Sequence, residues 1–146
     1  MAGRHVIKTW SSTQQVVALS SGEAELYALM KVAVQVKGIM SMYLDYGIKL
    51  AGAVYSDANA AIGIVHREGL GRTRHIDVSY LWIQQEVKSK KLDIRKVNTH
   101  ENPADILTKG VTWEVLRRHM QFMNFAPTDV DDDAALTINA VTYCCP

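Results

Sequence analysis

At 146 residues, with 48% hydrophobic residues and a formal net charge of +1, the chain has the size and apolar content of one domain, able to bury about 68–70% of its unfolded surface. No apolar run reaches the roughly 18 residues that a membrane span needs, and the opening MAGRHVIKTW lacks the apolar stretch of a signal peptide. The only cysteines, Cys144 and Cys145, are adjacent near the C-terminus, which argues against a disulfide framework or a cysteine metal knuckle and leaves an intracellular protein as the expectation.

The charge is unevenly spread. Residues 66–118 hold 11 Lys/Arg against 7 Asp/Glu, and residues 119–146 hold none against 4. A modest basic surface is compatible with nucleic acid, although solvated charged faces are its ordinary cause.

Residues 5–19, HVIKTWSSTQQVVAL, are rich in β-branched and aromatic residues and predict one strand or two short ones. Ser20 and Glu23 then form the S-x-x-E pattern of a capping box. Leu26, Leu29, Met30, Ala33, Met40 and Leu44 continue at helical spacing until Gly47 ends the helix. GAVYS, 52–56, predicts a short strand, followed by a helix from about Ala58 to His66. EGLGRTRH, 68–75, is a glycine-punctuated loop. A second long helix is expected from about Asp77 to Lys88, with Val78, Leu81, Trp82 and Gln85 marking its faces. KSKK, 88–91, is a solvated basic turn, and LDIRKVNT, 92–99, alternates as a strand. ENPAD opens a further helix, with Pro103 suited to its first turn, and VTWEVLRRHMQFM, 111–123, is an amphipathic one. The last stretch, PTDVDDDAALTINAVTYCCP, is acidic and unpatterned. The expected division is a folded part, 1–126, and a disordered acidic tail, 127–146.

Strands alternating with helices argue for an α/β layered sheet. In such sheets ligands and catalytic groups collect at the C-terminal ends of strands, and Asp57 stands at one. Glu25 lies in the first turns of the first long helix, bordering its apolar stripe, with Glu23 about 200° around and serving the cap. Asp105 opens the helix after the last strand, where dipole stabilisation alone accounts for an acid. Taken together, Glu25, Asp57 and Asp105 are hard oxygen ligands of the kind that suit Mg²⁺. Two such ions roughly 3.5–4 Å apart activate a water and stabilise the leaving oxygen of a phosphodiester.

Four blocks, VALSSGEAELYAL, VYSDANAAI, RTRHIDVSYLWI and NPADILTKG, resemble in order and spacing the ribonuclease H-like region of copia-type retrotransposon Pol polyproteins, over about residues 5–110. The resemblance implies a mixed sheet with flanking helices, a D-E-D-D set of metal-binding acids, and cleavage of the RNA strand of an RNA–DNA hybrid with Mg²⁺ or Mn²⁺. It also implies the reverse transcriptase domain of the same polyprotein as a packing partner. Glu25 resembles the family's helix glutamate, Asp57 its second aspartate and Asp105 its last. The family's first aspartate lies on its first, central strand, whereas no Asp or Glu precedes Glu23 here. The resemblance therefore implies an RNase H-like fold lacking its first two strands, a site holding one ion, and weak or absent cleavage. The 5–19 strand would then pair directly with 52–56 or leave an apolar edge open. The alternatives are a non-catalytic module that binds nucleic acid or packs within Pol, or a relic without function.

Other residues are weighed singly. His100, five residues before Asp105, is an auxiliary candidate or an ordinary loop histidine. Arg72, Arg74 and His75 precede a helix start and suit phosphate contact, or are simply solvated. His66, His75, Asp77 and His100 fit no zinc spacing. Trp10, Trp82 and Trp113 are expected as core or half-buried packing rather than base-stacking platforms. LRRH, 116–119, places cations at a helix C-terminus, where they suit the dipole.

Overall fold

The computed structural model describes residues 6–12, 14, 17–69, 81–107, 110–125 and 140–143. Helix α1 spans Ser21–Asp45. Ser20 is its N-cap: the Ser20 hydroxyl accepts from the Glu23 backbone N–H at 3.2 Å. The Glu23 carboxylate reaches back to accept from the Leu19 N–H at 2.9 Å and is held by the Tyr27 hydroxyl, so the expected capping role of Glu23 is realised. At the other end Gly47 adopts φ +77°, and the N–H groups of Gly47 and Ile48 donate to the carbonyls of Leu44 and Tyr43. This is the paired closure of a Schellman motif, and only glycine takes that φ cheaply.

One face of α1 is dry: Leu26, Leu29, Val32, Ala33 and Val36 are all buried. They meet strand β1, Gly52–Ser56, and helix α2, Asn59–His66. Gly52 permits the approach, since a Cβ there would lie 2.8 Å from Val36 Cγ1 and 2.6 Å from Met40 Sδ. Helix α3, Trp82–Lys88, adds Ile83 to the core, and strand β2, Leu92–Lys96, adds Leu92 and Ile94. Residues 70–80, where the start of the second long helix was expected, lie outside the described residues.

β1 and β2 pair in parallel, with Val54 opposite Ile94, as the alternating pattern predicts. A third strand, β3, Ala140–Tyr143, pairs in parallel with the other edge of β1, giving the order β2-β1-β3. The architecture is therefore α/β, and the described residues form a small parallel sheet and four α-helices. Two 3₁₀ turns, Thr99–Glu101 and Pro103–Leu107, replace the helix expected from ENPAD. Helix α4, Trp113–Phe122, follows.

Three further expectations are corrected. The described residues between 5 and 19 form no strand. They run along α1 instead: Trp10 packs on the core cluster, the Lys8 and Lys31 ammonium groups donate to Gln35 and Ser12, and Gln14 donates to the Ala24 carbonyl. Both edges of β1, the strand this stretch was expected to pair with, are taken by β2 and β3, so its β propensity is not met there. Second, part of the expected loose tail, Ala140–Tyr143, is in the sheet. Third, Trp113 is 69% exposed, whereas Trp10 and Trp82 pack on the core as expected.

Candidate acid-pair site

At the C-terminal end of β1 the chain turns directly into α2. Ser56 is buried; its hydroxyl accepts from the Ala58 N–H at 3.2 Å, and its carbonyl accepts from the Val97 N–H at 3.0 Å. These bonds fix Asp57 at the mouth of the β1–β2 pair. Helix α2 is capped at Ala58 with no side-chain cap bond, so Asp57 is not spent on capping. The N-terminus of α1 crosses close by, because Gly22 lets Ala60 approach: a Cβ on Gly22 would lie 2.9 Å from Ala60 Cβ. Glu25, on the next turn of α1, is thereby carried to Asp57. Burial lifts the Glu25 carboxyl above its usual range, and the negative charge of Asp57 lifts it further.

Asp105 stands in the Pro103–Leu107 turn. Asn102 is fully buried, and its side-chain carbonyl accepts from the Ala104 N–H, shaping the turn that carries Asp105. Asp105 is itself buried. Its charge is felt by His119 on α4, which burial and Arg118 hold below the usual imidazole range while Asp105 draws it back up. Among the described residues, no group of three or more His, Cys, Asp or Glu side chains is placed to hold a metal ion. The geometry thus brings Glu25 and Asp57 together and sets Asp105 against α4. His100 is exposed, with its backbone N–H donating to Asn98 Oδ1. Arg72, Arg74 and His75 lie outside the described residues. Just before them in the chain, the carbonyls of Ile64 and Gly69 accept from the Gln84 side chain, which in turn accepts from the Gly69 N–H.

Glu25 and Asp57 could supply two carboxylate ligands to one hard divalent cation. Two carboxylates, one partly desolvated and repelled by the other, gain most from a divalent cation with oxygen preference. Mg²⁺ commonly takes only one or two protein carboxylates and keeps its waters. Sequence reasoning missed Asn102, His119 and the Lys37–Glu86 ion pair that ties α1 to α3 at 2.6 Å. The Asn-Pro dipeptide at 102–103 was a readable turn signal. LRRH marked His119 as a helix-end cation rather than as the buried side chain it is, and nothing local marked the ion pair.

No family model matches the chain, and no solved structure matches it. Its homologues are retrovirus-related Pol polyproteins from plant transposons. It is 37% identical over 106 residues, 70% of the chain, to the retrovirus-related Pol polyprotein from transposon TNT 1-94 of Nicotiana tabacum. It is 31% identical over 134 residues, 85% of the chain, to those from transposons RE1 and RE2 of Arabidopsis thaliana. The chain spans 8% of the length of each of these relatives. Among the described residues no helix is long and apolar enough to cross a membrane.

Proposed function

We propose that the chain is a retrotransposon-derived ribonuclease H-like domain whose Glu25 and Asp57 carboxylates bind one Mg²⁺ or Mn²⁺ and engage the backbone of an RNA–DNA hybrid. The carrying observation is the pair itself: two acids from separate elements repel each other at the end of a parallel strand, in a chain similar to Pol polyproteins. A bound cation supplies Lewis-acid polarisation of a phosphoryl oxygen and a more acidic water. The protein's part is placement. β1 and the Ser56 turn hold Asp57 at the strand end, and the buried face of α1 holds Glu25 against it. Asp105 is the third acid of the reading, Arg72, Arg74 and His75 are its phosphate contacts, and His100 is an auxiliary group. Among the described residues no set of three acids is placed to hold a metal ion, so cleavage by this chain is expected to be weak. A lost metal contribution of several kcal/mol is a loss of about tenfold for each 1.36 kcal/mol.

The test is cleavage of a labelled hybrid by the purified chain with millimolar Mg²⁺ or Mn²⁺, beside Asp57→Asn and Glu25→Gln, with cation binding measured on all three. Cation binding lost in both variants, with weak cleavage lost alongside it, supports the reading. Equal cation binding in all three defeats it. The absence, among the described residues, of a set of three metal-holding side chains favours a second reading, a non-catalytic module that binds nucleic acid or packs within Pol. That reading expects hybrid binding that is indifferent to cation and to both substitutions.

A further inference from the structure

We propose that β3 is a detachable clasp that sets the geometry of the acid pair. β3 is bonded to β1 from Gly52 opposite Ala140 to Tyr55 opposite Tyr143, and β1 delivers Asp57. It also lies against α1, which delivers Glu25. The strand therefore bridges the two elements whose relative position fixes the pair.

Its attachment is that of a separable part. β3 has four residues and, among the described residues, pairs with β1 alone, at the end of the order β2-β1-β3. Residues 126–139 separate it from Phe125, and they include Asp129, Asp131, Asp132 and Asp133. A short edge strand with few partners belongs to the low-stability end of a fold, where local opening precedes global unfolding. When β3 leaves, one edge of β1 loses its ladder beside the fully buried Val54, and α1 loses one of its supports. Binding is reciprocal in such a coupling: if docking of β3 tightens the cation site, cation binding tightens the docking of β3. The cation half of this inference rests on the proposed function; the docking half does not.

The experiment compares the full chain with a chain ending at Asn139. Two quantities are read: amide hydrogen exchange at residues 53–55, and Mn²⁺ affinity by calorimetric titration. Far-UV circular dichroism confirms that the helices persist. Should the shortened chain fail to fold, Val141→Pro and Thr142→Pro replace it, since adjacent strand residues alternate and one of the two removes a donor that faces β1. The expected result is faster exchange in β1 and Mn²⁺ affinity lowered about fivefold or more, both restored by a synthetic peptide of residues 137–146 added in trans. Unchanged exchange in β1 overturns the docking. Faster exchange with unchanged Mn²⁺ affinity overturns the clasp. A full chain that binds no Mn²⁺ while β1 exchange still responds to truncation overturns the cation site and the clasp's role in it, and leaves the docking of β3 standing.

Discussion

Glu25 on α1 and Asp57 at the end of β1 sit within electrostatic reach of each other, and the Asp57 charge adds to burial in raising the Glu25 carboxyl above its usual range. The folded state therefore favours the neutral form of Glu25. A carboxyl raised on folding adds stability below its unfolded pKa, and that contribution is lost as pH rises through the folded value. Glu25→Gln is expected to melt higher than the parent at neutral pH, by under about 0.5 kcal/mol because Glu25 is mostly solvated. The difference should close as pH falls into the carboxylate range. In Asp57→Asn the Glu25 pKa, followed by NMR, should fall towards the ordinary value without reaching it, because burial is the larger cause. A complete return would show that Asp57 alone sets it.

Gly52 is where α1 meets the sheet. A methyl group there would press on Val36 Cγ1 at 2.8 Å and Leu92 Cδ1 at 3.1 Å, both from fully buried side chains. Gly52→Ala should cost about 1–3 kcal/mol, the range for overpacking, read from urea unfolding. Gly63→Ala is the control, since nothing lies within 4 Å of its position and alanine is the better helix former. It should match or exceed the parent.

Ser20→Ala removes the hydroxyl that caps α1. The expected loss is about 1 kcal/mol. Ser20→Asp, which retains an acceptor at the cap and adds a charge favourable to the dipole, should hold stability near the parent value.

Lys37 and Glu86 pair at 2.6 Å with side chains 33% and 12% exposed. Lys37→Met leaves the more buried carboxylate without this cation and should cost about 1–3 kcal/mol. Lys37→Met with Glu86→Leu should recover most of that, because replacing both partners avoids a stranded charge. A double-mutant cycle with no coupling would show that the pair is only a neighbourly contact.

Local signals carried much of the fold. The Ser20–Glu23 box, Gly47, the alternation of GAVYS and the run LDIRK each fixed an element within a residue or two, because caps, turns and period-2 burial act over a few positions. The 5–19 stretch misled because strand propensity is a preference for a half-buried ladder, and the ladder went to a segment about 85 residues downstream of β1. Val141 and Tyr143 are strand formers, yet the acidic run before them hid the strand in what read as a tail. At the site, Asp57 was legible from its place at a strand end. Its pairing with Glu25 depends on the Gly22–Ala60 approach, and the seating of Asp105 on α4 depends on buried Asn102 and His119. These are tertiary contacts that no window of sequence reports.

The parallel pairing of β1 with residues 140–143 has a consequence for synthesis. Residues 57–139 lie between the two strands, and a ribosome adding about 5–20 residues per second needs several seconds to supply the second after the first. Throughout that interval the nascent chain carries the apolar strand GAVYS with an unmatched edge, the kind of surface that recruits a neighbouring polypeptide. The late arrival of the partner also makes the topology rich in distant contacts, which slows closure of the sheet. Chaperone dependence and yield on expression should therefore be governed less by the helical half of the molecule than by how soon its last strand comes home.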